Sequence, residues 1–149
     1  MKISFKGDYA LKIMLDLSLS YDKGLRQIKE IAKRQDIPEK FLEQIVTLLK
    51  SGNYIKTVRG PNGGISLAKK PSEITIGEIV RLVDGSTAPI ACVSCSAYTR
   101  CTFEDQCVFK DIWAEVRTRT NELVDTITFE DMVKKHQALR GEVVSDYSI

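Results

Sequence analysis

Apolar residues fall at positions 9, 10, 13, 14 and 17, with Leu11, Leu15 and Leu19 forming a second row. This pattern predicts a helix from Gly7 to Ser20 buried on two sides, as between a domain core and a partner subunit. Asp22-Lys23-Gly24 marks a turn. From Arg26 to Arg34 a short amphipathic helix is predicted, with Ile28, Ile31 and Ala32 inward. Gln35-Asp36-Ile37 breaks it. Pro38 then opens a second helix, where its missing N–H is harmless. That helix, Pro38 to Lys50, is expected to bury Phe41, Leu42, Ile45, Val46 and Leu49. Its outer side shows Glu39, Lys40, Glu43, Gln44, Thr47 and Lys50, and Gly52 is placed to end it in a left-handed conformation. Two short helices joined by a tight turn, the second polar outside, describe a helix-turn-helix. A plain helical hairpin fits the same pattern.

The next stretch separates the two. Tyr54 to Val58 alternates like a strand, Arg59-Gly60-Pro61-Asn62-Gly63-Gly64 is a turn, and Ile65 to Ala68 returns. A helix-turn-helix followed directly by a glycine-rich hairpin is a winged helix, whose tip can approach a nucleic-acid backbone or groove. A phosphate-cradling loop would need a helix starting Lys-Ser/Thr after the glycines, and Ile65-Ser66-Leu67 follows instead. Thr75-Ile76-Gly77-Glu78 is a capping box opening a helix that Asp84-Gly85 ends. Ser86 to Ala91 reads as linker. Beyond Cys107, Phe109, Trp113, Val116, Thr120, Leu123 and Ile127 alternate steps of four and three, a coiled-coil seam on a helix from Val108 to Thr126. One such helix cannot bury its stripe alone, which points to a two-fold partner. Thr128 to Asp131 caps a short helix carrying His136, and the tail after Arg140 shows no pattern.

The predicted fold is therefore mainly α with a small β-hairpin wing: a winged helix-turn-helix plus a long dimerisation helix. Residues 1–85 form the DNA-binding domain, 86–107 a cysteine-rich loop, and 108–149 the dimerisation helix and tail.

Charge sharpens this picture. The formal net charge is only +2. Up to Ser72, however, there are 14 Lys and Arg against 7 Asp and Glu, and from Glu73 onward 8 against 13. A basic front half joined to an acidic rear half suits a front that meets a polyanion. No apolar run approaches the roughly 20 residues of a membrane span. Nothing near the N-terminus resembles a signal peptide, so a cytoplasmic location is expected.

All four cysteines lie between Cys92 and Cys107, spaced C-x2-C-x5-C-x5-C. Disulfides need an oxidising compartment. Zinc commonly takes two close pairs of ligands, or a pair with histidines, whereas here only Cys92 and Cys95 are close and the one histidine, His136, is remote. The even triad Cys95, Cys101 and Cys107 offers three soft thiolates on one loop, which suits an iron–sulfur cluster. Spacing alone favours that cluster only modestly over zinc. His136 reads as an ordinary helix-surface residue. Trp113, Phe103 and Phe109 are expected to pack around the loop and shield it. No nucleophile–base set or paired carboxylate site is recognisable, which argues against an enzyme.

Several stretches together resemble the family of bacterial winged-helix regulators that includes IscR, NsrR and CymR. They are Met1-Lys2-Ile3-Ser4 through Tyr9-Ala10-Leu11, Ile37-Pro38 with Phe41-Leu42-Glu43-Gln44-Ile45, the wing Arg59 to Gly64, and Pro71 to Thr75. The resemblance runs to about Ile127. It implies a homodimer crossed by its long helices and bound to a pseudo-palindromic operator. It also implies that a Cys-x5-Cys-x5-Cys triad holds an iron–sulfur cluster, of two or four irons, whereas CymR-like members lack the triad. IscR-like members carry a histidine three residues past the third cysteine, where this chain has Lys110. NsrR-like members match it at the acidic Asp8. The expected fourth ligand is thus Asp8 from the partner subunit, with the extra thiol Cys92 as the alternative.

The leading expectation is a cluster-gated transcription regulator sensing cluster supply, redox state or nitric oxide. Lys40, Glu43, Gln44 and Thr47 of the second helix, with Arg59, Gly60, Asn62 and Gly63 of the wing, would contact double-stranded DNA. The alternatives are a metal-free thiol or cysteine-metabolism regulator on the same fold, and an iron–sulfur electron-transfer or carrier protein. The last has no use for a basic helix-turn-helix.

Overall fold

The computed structural model describes residues 1–147, with side chains through Gly141. Six helices and a two-stranded antiparallel hairpin follow in the order α1 (Phe5–Leu19), α2 (Ile28–Gln35), α3 (Glu39–Ser51), β1 (Ile55–Val58), β2 (Gly64–Leu67), α4 (Ile76–Asp84), α5 (Lys110–Thr126) and α6 (Phe129–Tyr147). The winged-helix class expected from the sequence is the one observed.

α1 begins two residues earlier than its apolar pattern suggested. Ser4 is the reason: its hydroxyl accepts the Gly7 N–H at 2.9 Å and so supplies the cap. The Asp84 carboxylate at the far end of α4 accepts the Ser4 N–H at 3.0 Å and also its hydroxyl, tying the start of α1 to the end of α4. α2 ends at Asp36, whose φ of 52° is left-handed, and the chain turns directly into α3. The end of α3 differs from expectation. Gly52 keeps a right-handed φ of −82°, and the left-handed residue is Asn53 at φ 61°. Gly52 is small for another reason, since a Cβ there would sit 2.9 Å from both Leu82 and the Tyr54 ring.

The core gathers Ile13, Met14 and Leu17 of α1, Ile31 of α2, and Leu42, Ile45 and Leu49 of α3. Ile55 and Ile65 of the hairpin and Ile79 of α4 complete it. Phe41 does not join them. It is 53% exposed, because it sits one flank round α3 beside Phe5 and Tyr9 rather than on the inward face. β1 and β2 pair from Ile55↔Leu67 to Val58↔Gly64. Arg26 adds a third, single-residue rung against Ile65, with its N–H and C=O bonded at 2.9 and 2.8 Å. The base of the wing is thereby sewn to the segment that starts the helix-turn-helix.

One charged group lies inside this layer. Asp16 is 5% exposed. It accepts Arg34 Nε at 3.0 Å, Arg34 Nη2 at 2.8 Å and Gln35 Nε2 at 3.0 Å. A buried carboxylate is tolerated when paired and hydrogen-bonded in this way. The hydrogen bond to Asp16 holds the Arg34 guanidinium above its ordinary range. The contact pins the end of α2 to α1.

Beyond α4 the chain is more engaged than a linker. Thr87 is buried and donates to Asn121 of α5, and the Ser86 and Ser94 hydroxyls share a hydrogen bond of 2.7 Å. Arg117 of α5 donates to the Val93 carbonyl at 2.6 Å. The far end of α5 is clamped to the start of α4 by Ile76 N–H to Ile127 C=O and Phe129 N–H to Ile74 C=O, both 3.0 Å. Arg81 meets Asp125 at 2.5 Å. Gly77 permits this approach, because a Cβ there would overlap the Asp125 carboxylate. The clamp delivers Phe129, 1% exposed, into the core of the winged helix. The Thr128–Asp131 capping box forms as expected, with Thr128 N–H to Asp131 at 2.9 Å and Asp131 N–H to Thr128 at 3.2 Å. The helix it starts is not short: it continues past Arg140 to Tyr147, and the last two residues of the tail lie outside those described. No helix among the described residues is long and apolar enough to cross a membrane.

Candidate nucleic-acid interface and metal centre

α3 presents Lys40, Glu43, Gln44 and Thr47 to solvent along one face, all exposed. This follows from its period, because Leu42, Ile45, Val46 and Leu49 take the inward positions. Thr47 returns its hydroxyl to the Glu43 carbonyl at 3.0 Å. Beside this face the wing turn carries Arg59, Gly60 and Asn62 exposed, with Gly63 half-buried. Gly60 has φ 113°, a conformation strained for any side chain, and Gly63 N–H donates to the Gly60 carbonyl at 3.0 Å. Between α3 and the wing runs a groove of about 730 Å³ lined by Lys29, Thr47, Lys50, Val58, Arg59 and Gly60 among others. Of the expected contacts, Thr47, Arg59, Gly60 and Gly63 share this groove, whereas Lys40, Glu43 and Asn62 do not line it and Gln44 lies beside Phe5 and Tyr9. Lys29 shares that groove and was not among the expected contacts. Its position in the first turn of α2, the helix before the recognition helix, was the available signal.

The cysteine loop runs between α4 and α5. All four thiols are free, with Cys95 exposed and Cys92, Cys101 and Cys107 half-buried. Among the described residues, no three Cys, His, Asp or Glu side chains converge as a metal-binding set. The loop is ordered by a strap instead. Glu104, its side chain 9% exposed, accepts the Tyr98 hydroxyl at 2.7 Å and the Lys110 ammonium at 2.7 Å. Lys110 first and Tyr98 second hold the Glu104 carboxyl below the usual range, and Glu104 in turn raises both partners. Lys110 is therefore occupied as an ion-pair partner. The aromatics do not shield the loop as expected: Phe103 is 74%, Phe109 57% and Trp113 38% exposed. Among the described residues, nothing covers these aromatics or Ile112, Val116 and Leu123, which are also exposed.

Asp8 is half-exposed in the first turn of α1 and pairs with Lys12 at 2.7 Å. It opens onto a cleft of about 810 Å³ with Lys2, Ile3, Ser4, Phe5 and Asp84. No cysteine lines that cleft. His136 sits on α6, far along the chain from the thiols, beside Arg34 and Asp16.

A helix-turn-helix with an exposed polar recognition face, a basic wing and a long helix behind it defines a winged-helix DNA-binding regulator. The comparisons with known proteins make this specific. Residues 3–135 match the family described as Rrf2, iron-dependent transcriptional regulator. The chain belongs to the Rrf2 family. It is 32% identical over 132 residues to the HTH-type transcriptional regulator CymR of Bacillus subtilis, covering 89% of both chains. It is 30% identical over 139 residues to the HTH-type transcriptional regulator IscR of Pectobacterium atrosepticum, covering 93% of this chain and 83% of that one. The solved structure of B. subtilis CymR, the global cysteine regulator of that organism, superposes with a TM-score of 0.78 at 30% identity, covering 91% of this chain and 98% of that one. That of T. potens IscR superposes with a TM-score of 0.72 at 32% identity, covering 91% and 88%. The chain is a DNA-binding transcriptional regulator and not an enzyme.

Proposed function

We propose that this regulator acts in the cytoplasm as a homodimer whose operator binding is controlled by an iron–sulfur cluster. The observation that carries the reading is the set of free thiols at Cys95, Cys101 and Cys107 on the loop that leads directly into α5. The donor chemistry fits: three soft thiolates on one loop, with the position of a possible nitrogen ligand taken by the paired Lys110. When bound, a cluster supplies a redox-labile centre whose gain, loss or oxidation is the signal. Cys95, Cys101 and Cys107 would hold three positions of it, and Asp8 of the partner subunit would complete the site, with Cys92 as the alternative.

The exposed stripe Phe109, Ile112, Trp113, Val116 and Leu123 is the surface on which the two subunits join. In the dimer, Lys40 and Arg59 neutralise backbone phosphate, while Glu43 and Gln44 read base edges in the major groove. Thr47 contributes apolar contact, and Gly60, Asn62 and Gly63 shape the wing tip to a groove. α5 is fastened to the cysteine loop by Arg117 near its middle and to α4 at its far end, so loop geometry bears on the placement of the two recognition helices. A hundredfold change in operator occupancy needs a coupling of about 2.7 kcal/mol.

A second reading is a metal-free thiol or cysteine-metabolism regulator. It is supported by the similarity to CymR and by the absence of a converged donor set among the described residues. Anaerobic purification, an absorption spectrum and counts of iron and sulfide separate the two. The cluster reading expects a coloured protein that Cys101→Ala bleaches. A colourless protein with no iron, whose operator binding follows thiol oxidation, supports the second reading. Asp8→Ala and Cys92→Ala then assign the fourth ligand, since only the true ligand's loss alters the spectrum.

A further inference from the structure

Between the last turns of α1, the turn before α2, the end of α2 and the middle of α6 lies a cavity of about 380 Å³. Among the described residues its walls carry Lys23, Arg26, Arg34, His136 and Arg140, with one carboxylate, Asp16. Asp16 is already engaged by the Arg34 guanidinium and by Gln35. Among the described residues, Lys23, Arg26 and Arg140 therefore face the cavity without a counter-charge on its wall. One of them is further constrained. Arg26 Nε is buried and has no hydrogen-bond partner among the described residues. The Arg26 backbone is fixed by its two bonds to Ile65, which places the residue at the edge of the hairpin. A guanidinium N–H buried without an acceptor is unfavourable, which marks Arg26 as the least satisfied of these basic residues.

We propose that this cavity is a binding site for a small, multiply charged anion presenting phosphate or paired carboxylate oxygens. Its volume is that of a small-metabolite pocket and far above the roughly 30 Å³ share of one water molecule. The forked guanidinium of Arg26 supplies directional donors, and Lys23 and Arg140 supply mobile charge at the rim. No residue of α3 or of the two wing strands lines the cavity, and Arg26, bonded to Ile65, is its one link to the hairpin. An anion held there bridges α6 to the α1–α2 layer.

The test is isothermal titration of the full-length protein in chloride buffer at fixed ionic strength, with inorganic phosphate and citrate as separate probes. Saturable binding at one site per chain is expected, and the probe that binds identifies the oxygen chemistry. Arg26→Gln is expected to weaken it by about tenfold, the worth of one charge-assisted hydrogen bond. The double variant His136→Gln, Arg140→Gln, which touches no core residue, is expected to weaken it comparably. The proposal is overturned if neither probe binds saturably, or if binding survives in the double variant. It is also overturned if a short duplex of random sequence displaces the anion, since the cations then belong to a DNA contact.

Discussion

In the body built from α1–α4 and the wing, Ile13, Met14, Leu42 and Leu49 are fully buried and even the one inward carboxylate has three hydrogen bonds. α5 is longer than any helix of that body, yet buries none of its side chains and leaves Phe109, Ile112, Val116 and Leu123 more than a third exposed. The body closes on itself within one chain. α5 is held to the rest of the chain through Arg117, Asn121 and its last turn, and shows an apolar stripe along its outer side. An isolated helix of this length is marginal in water, because most helical stability comes from packing an apolar face. The difference separates a unit that folds on its own contacts from one whose sequence is written for a second surface.

The widest separation should come from matched leucine truncations. Leu42→Ala removes a side chain with no exposure and is expected to lower folding stability by about 2–5 kcal/mol. Leu123→Ala, 61% exposed in the single chain, should cost far less in denaturant unfolding of a monomeric form. Equal losses at low protein concentration would break the contrast. Leu123→Glu sharpens it from the other side. It should leave the circular dichroism of the body intact while giving monomers in sedimentation and abolishing operator binding, because one half-site alone binds weakly. A variant that stays dimeric removes α5 from the interface.

Within the body, the recognition helix and wing should fail differently. Gln44→Ala is expected to relax base choice by about 1–3 kcal/mol at one position, measured on operator variants. Arg59→Ala should weaken specific and random duplexes alike and make the log-salt slope shallower by about 1. The smallest effect belongs to the junction of the two regions. The backbone and hydroxyl of Thr128 hold the Asp131 carboxyl below the usual aspartate value of 3.8. A depressed carboxylate adds stability that is present above its unfolded pKa and is lost as pH falls through the lower folded value. Acidification below the ordinary aspartate range should therefore loosen the start of α6, and Asp131→Asn should flatten that dependence. Amide exchange of Thr128–Met132 across the acid range reports it.

The helix-turn-helix and wing were legible because their cues are local. Pro38 at the start of α3, the turn glycines and the period of Leu42, Ile45, Val46 and Leu49 each act within a few residues. The cysteine triad and the Thr75–Glu78 and Thr128–Asp131 caps were legible for the same reason. Phe41 was misplaced because periodicity gives a face and not its edge, and the edge depends on how far α1 extends beside α3. The linker at Ser86–Ala91 and the shielding by Phe103 and Phe109 were misjudged because polarity and aromaticity do not say what stands opposite.

By itself, then, the sequence determined the element types, the polar reading face of α3, the wing and the grouping of the thiols, all set by interactions of short range. Tertiary structure alone decided that Asp16 is buried against Arg34, that Phe129 returns to the core and that Lys110 closes on Glu104. It also decided that Arg26, His136 and Arg140 share one cavity. Each of these depends on the packing angle between helices distant in sequence, which is a property of the assembled core and of no single segment.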